Sequence, residues 1–584
     1  MKQRNKYLLA LMVLLMVVFA IGKVTFLYYN RDICPLTPSQ WLGSLWQGAL
    51  LDLRTVALLL IVPALASLVM RKRLRWLLAP YFVIVGLAIA ATVMADMVMY
   101  EFWQFKLCAV HLSYAASPEG TTNSVSTWFL VSRALGVLAF VLLVAVPAIW
   151  MTPRKAEGHR PWFMAAFVFI VALLPIGIGS CYSSDSPMLA DHAATNPTFR
   201  FFHSFGDDAR YTPTKCNPLA VRQAYLTSDS VTDTLLTTQR PNILVVQLES
   251  YGSQFVREMA EGSVISDHVS PQLSRLIPEG IFWEQYYSNS FRTDRGTVCA
   301  YSGWTSYPTV SPMKRVSMHP RLSSLPRALH QAGYQTGYMY AGAMTNMGKM
   351  RYLADMDFES LMDETYFTRQ EMNSSWGAND STSAMKMYKT IKEIKPDAQW
   401  MMVWQTISSH EPWDVPYHRL DDKVQNAFAY TDQCLGQLID SLRTLPVWDR
   451  LLVIVIPDHG ILYRQTYDRA DFFHSPMLWL GGAVREPRRM PTLMNQSDIA
   501  ATLLAQMGLP HHQFPWSRNV LSPDYKPSVY CTYPAGLFYK DLTGETLYDL
   551  TAQRLTAGTT KADSLRLSKA LHLLHTSYSL IPNP

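Results

Sequence analysis

Charge is scarce in this chain: only 16% of its residues are Asp, Glu, Lys or Arg, against about a quarter in ordinary soluble proteins. With a net charge of +6 and 49% hydrophobic residues, it is neither a disordered polyelectrolyte nor a basic nucleic-acid binder, and no nucleic-acid partner is expected. Its seven cysteines, Cys34, Cys108, Cys181, Cys216, Cys299, Cys434 and Cys531, contain no pair of CxxC units. That excludes a zinc ribbon and leaves any disulfide pairing undetermined, although an odd number leaves at least one thiol unpaired. A small-residue cleavage pattern is also missing after the first apolar run, so Lys2, Arg4 and Lys6 introduce a retained helix rather than a removed leader.

What is present is sharply divided along the chain. Residues 1–180 carry a net +9 and the remainder a net −3, which reads as a membrane region followed by a polar domain. Five apolar stretches approach the roughly 20 residues needed to cross a bilayer: Tyr7 to Tyr29, Leu45 to Met70, Trp76 to Tyr100, Trp128 to Met151 and Pro161 to Gly179. Arg71, Lys72, Arg73 and Arg75 follow the second span and Arg154, Lys155 and Arg160 the fourth. Positive charge on those loops puts the N-terminus inside and everything after about Ser180 outside, on the oxidising side with all seven cysteines. Asp52, Arg54, Asp96 and Arg133 fall toward the outer ends of their spans, where ionisable residues surround a headgroup, snorkel or pair with one another.

Residues 181–239, rich in Ser, Thr, Asp and Asn, read as a juxtamembrane linker, and 240–584 as the second domain. There the pattern changes to continuous apolar runs of strand length at Asn242 to Leu248, Gln335 to Tyr340, Trp400 to Thr406, Leu451 to Ile456 and Pro476 to Leu480. Helical patterns separate them at Pro271 to Leu276, Leu322 to Ala332, Lys423 to Leu445 and Asp498 to Met507. Strands buried on both faces and alternating with helices predict an α/β domain with a mostly parallel central sheet.

The residues that follow the strands carry chemistry. Glu249-Ser-Tyr follows the first strand, Ser408-Ser-His410-Glu-Pro the third, and Asp458-His459-Gly460 the fourth. Ligands bind outside the carboxyl ends of strands in such sheets, so Glu249, His410, Asp458 and His459 are expected to converge. Two carboxylates and an imidazole suit a divalent cation, Mn²⁺ or Zn²⁺. A nucleophile is expected between the first two runs, in Ser288-Asn-Ser-Phe-Arg-Thr293-Asp-Arg-Gly296-Thr-Val-Cys-Ala. A Thr hydroxyl at a helix N-terminus would meet an incoming phosphate, and a cation would lower its pKa. The residues alone leave Thr293 and Thr297 both open. Trp376 to Asp380 is a further candidate for lining the cleft.

Taken together, Asn242 to Ser250, Arg292-Thr293-Asp-Arg-Gly296, Ser408-Ser-His410-Glu-Pro and Pro457-Asp458-His459-Gly resemble the lipoteichoic acid synthase and phosphoglycerol transferase family. That family is sulfatase-like, belongs to the alkaline phosphatase superfamily and is related to the lipid A phosphoethanolamine transferases. The resemblance implies a five-helix transmembrane domain followed by an extracytoplasmic α/β sulfatase-like domain, in the inner membrane of a bacterium. It implies Glu249, Thr293, Asp458 and His459 as metal ligands, with Mn²⁺ favoured and Zn²⁺ or Mg²⁺ as alternatives. Thr293, followed three residues later by Gly296, matches the family's nucleophile, and His410 would contact the phosphoryl group. The implied reaction moves phosphoglycerol from a membrane phospholipid, phosphatidylglycerol foremost, to a glycan. Transfer of phosphoethanolamine and metal-dependent hydrolysis of a phosphodiester or sulfate ester are the alternatives. A sulfatase needs Cys or Ser in Cys/Ser-x-Pro-x-Arg, and the nearest approach, Cys216-Asn-Pro-Leu-Ala, lacks the Arg. After the second strand, Ala341-Gly-Ala-Met-Thr-Asn346-Met replaces the family's headgroup-binding His, acidic and aromatic residues, leaving Asn346 as the match. His474, in Asp471-Phe-Phe-His474-Ser-Pro, stands where several superfamily members hold a second metal or a phosphate.

Overall fold

Four long apolar helices open the chain: α1 (Gln3–Tyr29), α2 (Pro38–Val69), α3 (Leu74–Trp103) and α4 (Thr127–Met151), each long and apolar enough to cross a membrane. The computed structural model describes residues 3–33, 35–69, 74–112, 126–153, 160–182, 188–207, 218–260, 266–463, 470–534, 536–556 and 560–581. The loop charges Arg71, Lys72, Arg73, Arg154 and Lys155, with Lys2, Cys34 and Cys216, lie outside the described residues. The expected fifth span is helical only over α5 (Trp162–Leu173). Twelve residues make about 18 Å of helix, well short of the roughly 30 Å hydrocarbon core. Pro175 is the cause: it disfavours the α conformation at Leu174, whose ψ is 137°, and Gly177 and Gly179 follow. Trp76, Trp150 and Trp162 stand at one end of this antiparallel helix set and Trp46 and Trp128 toward the other, each at least 63% exposed. Such paired aromatic belts mark the two interfaces of a bilayer.

The chain forms two units, one drawn from residues 1–116, 126–208 and 548–557, the other from 117–125, 209–547 and 558–584. Residues 188–207, read above as linker, thus belong to the first unit, as the helices Met188–Ala194 and Pro197–His203. The second unit is built on an eight-stranded sheet: β1 (Asn242–Leu248), β2 (Ile281–Trp283), β3 (Gln335–Tyr340), β4 (Ser360–Met362), β5 (Trp400–Gln405), β6 (Leu451–Pro457), β7 (Leu478–Leu480) and β8 (Arg488–Met490). Their spatial order is β4-β3-β5-β1-β6-β7-β2-β8. The five strands from β4 to β6 are parallel, and antiparallel pairing enters at β7 and β2. Every residue of β1, β5 and β6 is buried, as their continuous apolar runs require. Leu244, Val246 and Val453 share one core with Leu435, Ile439 and Leu442 of a helix spanning Lys423–Leu442. Asp422 starts that helix by accepting the N–H groups of Val424 and Gln425, an N-cap.

Inside the first unit the intramembrane charges are paired, with partners other than those expected. Asp52 accepts Lys23 Nζ at 2.6 Å and Asn196 Nδ2 at 2.8 Å. Asp96 pairs with Lys106 and accepts the Leu107 N–H at 2.8 Å. Arg54 donates to the carbonyl of Ile176, and Arg133 to the Tyr29 hydroxyl. Lys23 and Asp52 have side chains only 3% and 5% exposed, so removing one partner strands a buried charge. Asp52→Ala is expected to cost about 3–5 kcal/mol of stability, whereas the double replacement Lys23→Met with Asp52→Leu recovers most of that loss. Thermal unfolding of the detergent-solubilised chain checks this; a double variant no more stable than Asp52→Ala contradicts it.

Candidate active site

Strands β1 and β6 run in parallel register, Leu248 beside Pro457, so the residues after them, Glu249 and Asp458, emerge at one edge of the sheet. Ligand atoms of Glu249, Asp458 and His459 all lie within 4.8 Å of one another. Asp458 Oδ1 accepts the backbone N–H groups of Ser250 and His459, both at 2.8 Å. The first of these bonds holds Ser250 at φ 59°, a left-handed conformation disfavoured for a residue with a Cβ. Asp458 Oδ2 is buried and has no hydrogen-bond partner. His459 Nδ1 faces the Gly460 carbonyl at 2.7 Å, which places the ring proton there. Its Nε2 lone pair is left 3.6 Å from Asp458 Oδ2 and 3.7 Å from Glu249 Oε1, the usual orientation of a metal-ligating histidine.

Thr293 completes the group. Arg292 is extended, with φ −155°, and the helix α6 (Thr293–Ser302) begins at Thr293. A Cβ on Gly296 would stand 1.9 Å from the Asp458 carbonyl oxygen. Only glycine lets the first turn of α6 approach the end of β6 so closely, and this approach sets the Thr293 Oγ1 at 3.5 Å from Glu249 Oε2. Thr297, one turn later, is turned inward and accepts from Gln247 Nε2 at 3.2 Å. Of the two threonines the residues left open, Thr293 is therefore the one whose hydroxyl reaches the carboxylates.

The electrostatics point to a missing positive charge. Burial raises Asp458, and the charge of Glu249 raises it further. Burial also works to raise Glu249, but His410, His459 and the Ser250 hydroxyl outweigh it and hold its carboxyl below the usual range. A divalent cation would take up the partnerless Asp458 oxygen and remove the repulsion between the two acids. Two carboxylates, an imidazole nitrogen and a hydroxyl are a donor set that fits such an ion.

Of the remaining expected residues, His410 lies in the loop after β5, where Ser409 Oγ donates to the Glu249 carbonyl at 2.7 Å. Its Nδ1 faces the Glu411 carbonyl at 2.9 Å, which leaves Nε2 for a ligand. Asn346 sits half-buried in the turn after β3. His474 packs flat on Tyr287 with 5.0 Å between ring centres, and its Nε2 bonds the Glu284 carbonyl at 2.7 Å. Sequence reasoning missed Lys349, which is buried and donates to Gln405 Oε1 at 2.9 Å; Gln405 Nε2 in turn donates to Glu249 Oε2 at 3.5 Å. A signal was available in Gln247 and Gln405, amides near the carboxyl ends of largely apolar strands and paired in register.

Either Asp458→Ala or His459→Ala is expected to reduce bound divalent metal from near one equivalent to a small fraction. Elemental analysis of the purified variants measures it, and undiminished metal in both would contradict the ligand assignment.

Comparison with known proteins agrees with this geometry. Residues 241–509 match the family model described as Sulfatase. Curated relatives include arylsulfatase K of Canis lupus familiaris, 27% identical over 141 residues (20% of this chain, 26% of the relative), and that of Rattus norvegicus, 27% identical over 141 residues (20% and 25%). The chain thus spans about a quarter of the length of the curated relatives it matches. Among solved structures, an alkaline phosphatase superfamily protein from Vibrio parahaemolyticus aligns with a TM-score of 0.53 at 21% identity, covering 64% of this chain and 98% of that one. The lipoteichoic acid synthase LtaP from Listeria monocytogenes aligns with a TM-score of 0.52 at 17% identity, covering 62% and 97%. Residues 241–509 thus match the Sulfatase family model, and the second unit shares the fold of these two structures.

Proposed function

We propose that this protein is a membrane-anchored phosphotransferase that moves a phospholipid headgroup phosphate, phosphoglycerol in first place, to a glycan hydroxyl through a phospho-threonine at Thr293. The observation that carries the reading is the Thr293 hydroxyl at the first turn of α6, 3.5 Å from Glu249 Oε2 and beside the Asp458–His459 cluster. Glu249, Thr293, Asp458 and His459 would hold the metal, Mn²⁺ foremost with Zn²⁺ or Mg²⁺ as alternatives. When bound, such an ion supplies charge neutralisation at the phosphoryl oxygens and a lower pKa for the hydroxyl.

In the first half-reaction Thr293 Oγ forms a bond to phosphorus as the bond to the diacylglycerol oxygen breaks, and the proton lost by the threonine hydroxyl is balanced by one gained by the departing diacylglycerol oxygen. His410 Nε2 contacts the phosphoryl group opposite Glu249, and Lys349 pairs with one of its oxygens. In the second, a glycan oxygen attacks phosphorus, the Thr293 Oγ–P bond breaks and the hydroxyl regains its proton. A sulfatase reading is disfavoured because the segment around the nucleophile, Arg292-Thr293-Asp-Arg-Gly296, has neither the Cys or Ser nor the Pro of the formylglycine motif. The apolar helices α1 to α4 suit a lipid donor. Transfer of this kind needs the second unit on the periplasmic or extracellular side of a bacterial membrane, which with the N-terminus inside requires residues 161–179 to complete a fifth crossing beyond the twelve helical residues of α5.

Thr293→Ala is expected to abolish diacylglycerol release from phosphatidylglycerol while leaving the fold intact, whereas Thr297→Ala retains turnover. A dead Thr297→Ala beside an active Thr293→Ala would reverse the assignment, and equal or faster release from phosphatidylethanolamine would move the protein to ethanolamine transfer.

Lys349 carries a pH dependence. Burial pushes its pKa down to about 8, although Glu249 and Asp458 oppose the shift. Only the protonated amine pairs with a phosphoryl oxygen, so its contribution is present below that pKa and lost as pH rises through it. Because a bound cation would offset those two carboxylates, the alkaline limb of the kcat/KM profile is expected at or below about pH 8, and Lys349→Arg, which stays charged, moves the limb upward. An unmoved limb in Lys349→Arg contradicts the role.

A further inference from the structure

The loop that carries Trp376 is fastened to both loops flanking the site. Toward the loop after β3, Gly342 and Gly377 form an antiparallel bridge and the Ala378 N–H donates to the Ala341 carbonyl at 3.1 Å. A Cβ on Gly377, where φ is 149°, would stand 2.0 Å from the Ala341 oxygen, so glycine permits this closure. Toward the loop after β5, Trp376 Nε1 donates to the Glu411 carbonyl, and the indole ring centre lies 4.5 Å from that of His410, tilted by 60°. Asp380, four residues on, accepts the N–H groups of Ile407 and Ser408 at 2.7 and 3.2 Å and the Thr431 hydroxyl at 2.6 Å. These bonds lock the His410 loop against the Trp376 loop.

Trp376 is thereby a rigid indole beside a residue of the proposed site, yet it remains only half-buried. Neighbouring Met372 and Trp413 pack on the large core of this unit, and Trp376 is not among the residues that do. An apolar plane held by hydrogen bonds, left outside the core and flanked by His410 and the Glu411 carboxylate, which lies 3.3 Å from His410 Nδ1, matches one ligand chemistry. A pyranose presents a flat face of C–H groups for the ring and equatorial hydroxyls for the polar groups around it. A three-carbon glycerol headgroup has no face of that extent. The indole lies against His410, whose loop is bonded to Glu249 through Ser409, so Trp376 stands beside the residues that would hold the phosphoryl group.

We propose that Trp376 is the stacking residue of a saccharide subsite, which seats the acceptor sugar whose hydroxyl attacks phospho-Thr293. The sugar's C–H face lies on the indole, and the Glu411 carboxylate bonds its hydroxyls. This assignment rests on the transfer reading above for the reaction, but not for the binding.

Two measurements on the full-length chain in detergent test it. Saturation-transfer NMR with cellotriose, maltotriose and chitotriose reads binding without turnover: at least one is expected to receive saturation from the wild type and to lose it in Trp376→Ala. With headgroup-labelled phosphatidylglycerol, the ratio of label transferred to the bound trisaccharide over label on Thr293 is expected to fall about tenfold in Trp376→Ala, the scale of one lost aromatic contact, and to be largely kept in Trp376→Phe. Absence of saturation for all three sugars in the wild type overturns the proposal. So does an unchanged ratio in Trp376→Ala, which would make the indole merely a support for His410. Loss of sugar saturation in Trp376→Ala together with no label on Thr293 in the wild type would keep the subsite and sink the transfer reading.

Discussion

Two buried carboxylates placed side by side govern the second unit. Glu249 and Asp458 leave adjacent parallel strands at matched register, so the sheet itself forces them together. Each is nearly inaccessible to water. Repulsion at that range in a poorly solvated pocket is costly, and the protein offsets it with the Ser250 hydroxyl and nearby imidazoles on Glu249 and with backbone N–H groups on one Asp458 oxygen. The remaining oxygen, the oriented His459 and the Thr293 hydroxyl are arranged around the place where a cation would sit. Features that look unrelated follow from keeping that arrangement: the tight contact at Gly296, the left-handed Ser250, and the amide of Gln405 placed between Lys349 and Glu249.

Much of this was legible in the sequence because buried parallel strands must be apolar along their whole length. The runs at Asn242, Gln335, Trp400 and Leu451 stand out for that reason, and the polar residues directly after them must then lie at the sheet edge. The short strands β2, β4 and β8 gave no such signal. Their three residues are bounded by Gly, Pro or acidic residues, whereas β7, equally short, lies in the apolar run Pro476 to Leu480. Lys349 was hidden for a related reason: it opens the seven-residue helix Lys349–Asp355, too short to show an apolar period. Which of Thr293 and Thr297 faces the carboxylates depends on which way one helical turn faces, and that follows from the glycine contact rather than from composition.

In the membrane region, hydropathy located the helices, while the end of α5 was set by local backbone chemistry that hydropathy averages away. Pro175 stops the helix although the surrounding residues remain apolar. The charges within the spans showed a comparable limit. Their sequence positions marked depth, but their partners, Lys23 for Asp52 and Lys106 for Asp96, come from elsewhere in the unit. The five described cysteines are all buried free thiols, so the first unit and the sheet domain alike rest on packing and paired charge among the described residues.

The account turns on whether Thr293 becomes covalently modified by a phospholipid headgroup. The direct measurement is mass spectrometry of the chymotryptic peptide Arg292–Tyr301 after the purified, metal-loaded protein has been incubated with phosphatidylglycerol and without an acceptor. A phosphoglycerol adduct on Thr293, absent when the metal is chelated, is the predicted result. Diacylglycerol release with an unmodified Thr293, or an adduct on Thr297 instead, would contradict it.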